Sequence, residues 1–165
     1  MTMSIEELGA REEIRDVLAR YTRGIDRFDL GLVRSCYHPD AHDDHGAYRG
    51  DLDGFLTWVV EAWSFFESTM HFIGNQIIDV DGDQARAESY CIAFHRHGAD
   101  HDEAGYDLIT ALRYVDRLER RAGRWRIADR VCAFDWTRRD PVIGEWSMEG
   151  AVRGTRGDRD PVYSA

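Results

Sequence analysis

Four side chains in this sequence have the chemistry to move protons, and they lie far apart along it. His71, in Thr69-Met-His71-Phe-Ile-Gly-Asn75, carries an imidazole, which titrates near neutral pH and can remove a carbon-bound or hydroxyl proton. Such a base needs a carboxylate to fix its tautomer and stabilise its cation. Asp26, in Tyr21-Thr-Arg-Gly-Ile-Asp26-Arg-Phe-Asp29, is the candidate. It follows Ile25 directly and borders the apolar stripe of its helix. A carboxylate at a helix C-terminus is disfavoured by the macrodipole, so some compensation or use is expected there. The bland alternatives are that Asp26 or Asp29 caps the next helical turn around Leu30, and that His71 is a satisfied rim residue of a strand. His95 and Tyr21 are the candidate donors to a departing oxygen or an enolate. Tyr21 lies five positions before Asp26, about 140° around the helix, so the two converge only if the helix end bends inward.

The elements that must position these groups follow from hydrophobic spacing. Residues 5–25 read as a helix, with Ile14, Val17, Leu18, Tyr21 and Ile25 on one stripe and Ser4 with Glu7 as a capping box. Residues 30–37 predict a shorter helix stopped by Pro39, and 42–48 a brief strand. A second long helix is expected over 51–66, with Leu52, Phe55, Leu56, Val59, Ala62, Trp63 and Phe66 inside. Then the texture turns to strands: 70–80, a turn at Asp81-Gly82-Asp83, 84–96, a polar loop, 106–118 with Leu108, Thr110, Leu112 and Tyr114 on one face, a turn at Ala122-Gly123, and 125–136. In that last strand the period-two reading places Trp125, Ile127, Val131 and Ala133 together. In the strand over 84–96 one face carries Ala85, Ala87, Ser89, Cys91, Ala93 and His95, leaving room for a packed helix or for a ligand. Helices followed by long antiparallel strands make an α+β fold whose curved sheet wraps the N-terminal helices and leaves a concave mouth. Residues 1–136 are expected to form the domain and 137–165 an extended tail, packed on the domain or on a neighbouring subunit.

Composition excludes several classes of chemistry. The chain has 165 residues, 21 basic against 31 acidic, a net charge of −10, and no lysine. There is therefore no Schiff-base, P-loop or pyridoxal-binding lysine, and the negative charge is a poor match for nucleic acid or anionic lipid. Cys36, Cys91 and Cys132 are widely spaced and suggest neither disulfides nor a thiolate zinc site. Residues 1–13 carry four glutamates and no apolar stretch of signal-peptide length; a cytoplasmic, reducing compartment is the expectation. Two segments are rich in metal-ligand types: His38, His42 and His45 with Asp40, Asp43 and Asp44, and His95-x-His97 with His101 and Glu103. The first sits around Pro39 in a loop and the second runs off its strand, so both are expected to be solvated, with no metal site assigned.

The arrangement Tyr21-x4-Asp26, His71-Phe-Ile-Gly, Asp81-Gly82-Asp83 and Arg113-Tyr114-x-Asp116 through Gly123-x-Trp125-Arg-Ile-Ala resembles the SnoaL-like branch of the nuclear transport factor 2-like superfamily. The likeness spans roughly residues 5–136, and within the superfamily it is to the scytalone dehydratases, the hexachlorocyclohexane dehydrochlorinases and the bile acid 7α-dehydratases. It implies a cone-shaped, cystatin-like α+β barrel with a His–Asp pair in its cavity and no cofactor. Asp26 then matches the dyad aspartate, His71 the catalytic histidine, His95 the second cavity histidine of the scytalone dehydratases, and Tyr21 a tyrosine of the bile acid enzymes. Two departures stand out. Ile25 replaces the tyrosine that precedes the scytalone dehydratase aspartate, and that family's second tyrosine falls where this chain has His42-Asp-Asp-His45. The resemblance implies a cofactor-independent lyase of the dehydratase type, or an isomerase, for a small hydroxylated cyclic, aromatic or steroid-like compound. The alternative is a non-catalytic binding or accessory domain, such as the β-subunit type of aromatic-ring dioxygenases. A homo-oligomer, trimer or dimer, is expected.

Overall fold

A computed structural model describes residues 3–99, 104–144 and 147–164. The chain opens with helix α1 (Ile5–Arg27), whose Ser4 side chain accepts the Glu7 amide as the capping pattern requires. Phe28 closes α1 in the left-handed conformation, φ 59°, and turns the chain sharply into α2 (Leu30–Ser35). Asp29 caps α2 by accepting the Leu32 amide at 2.8 Å, so the capping duty falls to Asp29 and leaves Asp26 free. The helices meet closely at Gly24, where a Cβ would lie 2.7 Å from Val33 Cγ2.

Next comes β1 (Tyr37–Asp44), not the expected end of a helix and a strand over 42–48. Pro39 lies inside β1. The register against the neighbouring strand shifts between Tyr37 and His42, so no ladder bond is required of the proline nitrogen. A short β2 (Arg49–Asp51) leads into α3 (Leu52–Trp63), capped by Asp51. Helix α3 ends three residues earlier than expected, and Phe65 and Phe66 continue it only through tighter i→i−3 bonds.

Four long strands follow: β3 (Ser68–Asp81), β4 (Gln84–His97), β5 (Tyr106–Arg121) and β6 (Arg124–Pro141). Ala122 (φ 51°) and Gly123 (φ 73°) turn β5 into β6 with the backbone twist that tight hairpins need. The sheet order is β2-β1-β6-β5-β4-β3, antiparallel throughout except for the β1–β6 pair, which is parallel. The sheet is curved and does not close into a barrel. Helix α1 lies against β3, and the core runs between the helices and the inner sheet face.

Strand β4 carries Ala85, Ala87, Ser89, Cys91 and Ala93 inward, as its alternation suggests, all of them buried. Strand β6 departs from simple alternation. Its pairing with β5 jumps from Asp129↔Arg117 to Ile127↔Leu118, which leaves Ala128 as an extra residue. Because the side-chain period is two, one extra residue reverses the faces beyond it. Trp125 and Ile127 point inward as expected, but Arg130 and Cys132 replace Val131 and Ala133 on the inner side.

Strand β6 also runs five residues past the expected boundary at 136. Residues 155–163 return to the end of α1: Arg27 bonds the Thr155 carbonyl and Asp160, and Tyr163 donates to Asp29 at 3.1 Å. The basic run on β5 and β6 is met by acids, Arg113 by Glu88 and Asp135, and Arg120 by Asp83. Among the described residues no helix is long and apolar enough to cross a membrane.

Candidate active site

The concave side of the sheet and the two long helices enclose a cavity of about 270 Å³. Its walls are chiefly apolar, with Ile25, Trp58, Val59, Trp63, Phe66, Leu108, Leu112 and Phe134 among them. Ala93, directly across from His71 in the β3–β4 ladder, keeps the space beside that histidine open.

Asp26 and His71, 45 residues apart in sequence, meet at this wall. His71 Nδ1 lies 2.7 Å from Asp26 Oδ1, the His71 amide donates to Asp26 Oδ2 at 2.9 Å, and the Thr69 hydroxyl donates to Oδ1 at 3.0 Å. The second of these contacts explains the docking of α1. Strand β3 is a sheet edge, and Asp26 accepts the amide that no further strand takes. Burial alone would raise the Asp26 pKa. The hydrogen bonds and charge of His71, with the Thr69 hydroxyl, outweigh burial and hold it below the ordinary carboxylate value. An ionised carboxylate only accepts hydrogen bonds, so Nδ1 carries the ring proton and Nε2 is the basic nitrogen of a ring that lines the cavity. Asp26 itself stands behind His71 and Thr69.

His95 also lines the cavity, its ring edge-on to His71 with centroids 5.4 Å apart and 4.9 Å from Phe66. Burial, then the neighbouring His71, lowers its pKa to about 4, so near neutrality it is an uncharged hydrogen-bonding group. Tyr21 reaches the cavity as well, but it does not converge on Asp26. Its hydroxyl lies 3.2 Å from His45 Nε2, and its ring stands edge-on to Tyr37 and Tyr114.

Sequence reasoning missed that second histidine as a site residue. His45 lines the cavity and stacks on Phe55 at 4.8 Å. Its Nδ1 is in close contact with Asp43 Oδ1, and Asp43 Oδ2 accepts the Tyr37 hydroxyl at 2.7 Å. The signal was the inward alternation Ala41, Asp43, His45. Also missed was Arg130, which the β6 bulge turns inward. It makes a two-pronged ion pair with Asp116, 2.7 and 2.9 Å, both side chains fully buried. Burial opposes the charge on Arg130, but Asp116 holds its pKa well above the ordinary arginine value. The guanidinium lies 4.0 and 4.2 Å from the Tyr21 and Tyr114 ring centres, so a fixed cation stands behind the tyrosines and outside the cavity lining.

The ligand-rich segments separate. His38 donates to the Glu119 carbonyl at 2.9 Å, His42 is exposed beside Asp129, and His45 belongs to the cavity. His97 stacks on Tyr106, while His101 and Glu103 lie outside the described residues. Among the described residues no three His, Cys, Asp or Glu side chains are grouped to hold a metal ion. Cys91 is buried and its thiol is pushed up to about 11 by burial, which fits a packing residue and not a nucleophile.

Comparison with known proteins matches this chain to a family. The model of the SnoaL-like domain matches residues 6–131. An uncharacterised protein of Mycobacterium tuberculosis is 29% identical over 133 residues, 78% of this chain and 88% of its own length. Among solved structures, the hexachlorocyclohexane dehydrochlorinase LinA-type3 of Novosphingobium barchaimii superposes with a TM-score of 0.73 at 19% identity, covering 86% of this chain and 95% of that one. A protein of Novosphingobium aromaticivorans proposed to be a scytalone dehydratase gives 0.70 at 20% identity, covering 85% and 97%. At these identities the two structures show a shared fold.

Proposed function

The chain belongs to the SnoaL-like domain family, and we propose that it is a cofactor-independent lyase of the dehydratase type, or an isomerase, working by His–Asp acid–base catalysis. The observation that carries this reading is the 2.7 Å contact between His71 Nδ1 and Asp26 Oδ1 at the wall of an apolar cavity. A binding or accessory domain has no need of a base whose tautomer is set by a buried carboxylate.

In this mechanism His71 Nε2 takes a proton from carbon next to a carbonyl or a leaving oxygen. Asp26 keeps the other ring proton in place and stabilises the imidazolium as it forms. Tyr21 or His95 hydrogen-bonds the oxygen that departs or becomes an enolate. Acid–base work of this kind contributes about 10²–10⁴-fold, and positioning in a dry cavity supplies further acceleration.

The lining also constrains the substrate. Among the described residues it contains no arginine, aspartate or glutamate, and its polar groups are imidazoles, hydroxyls and the indole N–H groups of Trp58 and Trp63, which suits an uncharged ligand with one or two oxygen functions. A cavity of about 150 Å³ holds benzene. One of about 270 Å³ suits a one- or two-ring compound better than a four-ring steroid.

We also propose that the chain works as a homo-oligomer. Across the outer sheet face Phe72, Ile92, Ala111 and Trp136 form one cross-strand row, and Phe72 and Trp136 are 63% and 50% exposed. A second copy of the chain would cover it.

The decisive experiment screens neutral hydroxylated one- and two-ring compounds, with steroids as a size control, for water loss or double-bond migration by wild type and His71→Ala. Turnover by the wild type and none by the variant is the expected result. Turnover retained by His71→Ala would overturn the mechanism, and binding without turnover by either would favour the accessory-domain reading.

A further inference from the structure

The cavity holds a second imidazole–carboxylate pair that the mechanism above leaves idle. His45 reaches it from the end of β1, and His71 from β3. Those strands are separated in the sheet by β6, β5 and β4, so the two imidazoles come in from different ends of the strand order. Both rings have Nδ1 against a buried carboxylate, Asp26 for His71 and Asp43 for His45. Each carboxylate also accepts a hydroxyl, from Thr69 and Tyr37 respectively. The difference is in Nε2. That of His45 meets the hydroxyl of Tyr21, which itself lines the cavity.

We propose that Asp43 and His45 form a second acid–base arm that loads Tyr21 as the general acid, complementary to the base His71. This rests on the acid–base reading above and assigns its acid. Asp43 accepts from Nδ1–H, so the protonation of Nε2 decides which way the Tyr21 proton points. With His45 neutral, the Tyr21 hydroxyl donates to bare Nε2 and is unavailable. With His45 cationic, Nε2–H donates to the Tyr21 oxygen and the phenolic proton is free to face the cavity.

The elimination then balances as follows. His71 Nε2 takes the proton of a C–H bond, whose electron pair becomes the new double bond. The C–O bond breaks with its pair on oxygen, and that oxygen takes the Tyr21 proton and leaves as water. Tyr21 recovers a proton from His45 Nε2, and His45 ends neutral with Nδ1–H still on Asp43. The cycle closes when solvent carries a proton away from His71 and another to His45.

The surroundings suit such an arm. Among the described residues the ionisable groups around His45 include Asp43 and Tyr37 on β1, Tyr21 on α1, Tyr114 and Asp116 on β5, and, behind them, Arg130 on β6. Helix α3 presents Phe55 and Trp58 to its ring. Arg130 is bonded to Asp116 and lies over the Tyr21 and Tyr114 rings. Burial raises the pKa of the Tyr21 phenol well above its ordinary value, and Arg130 works against that burial, favouring negative charge on the Tyr21 oxygen from outside the cavity lining.

The test labels the histidines of the full chain with ¹⁵N and follows their ring nitrogens across pH, in wild type, Tyr21→Phe and His45→Gln. It also measures binding of 2-naphthol, a neutral two-ring hydroxyl compound, by its fluorescence. Tyr21→Phe removes one hydroxyl and keeps the ring contacts, so it reads the arm even if His45→Gln folds poorly. His45 is expected to hold its proton on Nδ1 when neutral and to gain the second on Nε2. Tyr21→Phe should shift the His45 Nε2 signal and leave His71 unmoved. Each single variant should weaken 2-naphthol roughly tenfold, with the double variant no weaker than either, as befits groups acting as a unit. Exposed His42→Gln should bind as wild type does. A neutral His45 protonated on Nε2 with bare Nδ1, or unchanged 2-naphthol binding by Tyr21→Phe, would overturn the second arm. Failure of the underlying reading shows separately, as turnover that survives His71→Ala.

Discussion

Replacing Asp26 with asparagine tests the base most directly, because the contacts of the carboxylate dictate how the amide must sit. Oδ1 receives the His71 ring and the Thr69 hydroxyl, and Oδ2 receives the His71 backbone amide. With the asparagine oxygen in the Oδ1 place, its NH₂ would face the backbone N–H, two donors in a buried site, at about 1–3 kcal/mol. With the oxygen in the Oδ2 place the backbone bond survives, the Thr69 hydroxyl can turn to accept, and the ring can shift its proton to Nε2. The second arrangement satisfies every group and removes the basic nitrogen from the cavity. A wrong tautomer in the comparable histidine–aspartate pair of a serine protease lowers kcat by about 10⁴. Asp26→Asn should therefore lose about 10³–10⁴ in kcat, about 4–5.5 kcal/mol. KM should change little, since Asp26 does not line the cavity. Steady-state kinetics on a compound from the screen reads the loss, and ¹⁵N spectra of His71 read the tautomer without any substrate. Turnover within tenfold of wild type, or His71 still protonated on Nδ1 in the variant, would refute the reasoning. The same variant alters acid stability. The folded Asp26 pKa lies below its ordinary value of 3.8, so its contribution is complete above that pH and is lost as pH falls through the lower folded value. Asp26→Asn should flatten that part of the acid limb.

Three further outcomes are expected. Asp116→Ala leaves Arg130 buried without its carboxylate. Breaking a buried pair costs about 3–5 kcal/mol, or roughly 6–20 °C in Tm for a chain of this size, and a shift under about 3 °C would contradict the pairing. His95, held by burial at about 4 against an ordinary 6.5, stays neutral in the fold where the unfolded chain binds a proton. Stability should fall as pH drops from 6.5 towards 4, by at most about 3 kcal/mol, and His95→Gln should lose that slope in Tm against pH; an identical slope would remove the assignment. Light scattering should find a dimer or trimer that Ile92→Arg, in the middle of the outer apolar row, converts to monomer. A wild-type monomer at micromolar concentration would refute the oligomer.

Much of the architecture was legible because its signals are local. The stripe of α1 and its Ser4 cap, the small-residue face of β4 and the two hairpin turns need only neighbouring residues to declare themselves. Asp26 and His71 stood out by type, but spacing alone left either Asp26 or Asp29 as the cap of the next helix, and the structure gives that cap to Asp29. What escaped notice depends on pairing across the sheet. Neither the extra residue at Ala128, which brings Arg130 inward, nor the irregularity that lets Pro39 sit within β1 leaves a mark in hydropathy, because a bulge is defined by the partner strand. His45 was visible only as one of several histidines. Its place at the cavity depends on β1 running parallel to β6, a long-range contact that spacing along the chain does not encode.

Strand β4 keeps two assignments apart on a single inner face. Ala85, Ala87 and Ala93 all belong to the buried core, but of the three Ala93 is the one that also lines the cavity. Enlarging either of the first two strains the protein's own interior. Enlarging Ala93 also trims the room left for a guest. A change at this one position therefore alters the shape offered to a guest as well as the packing of the sheet.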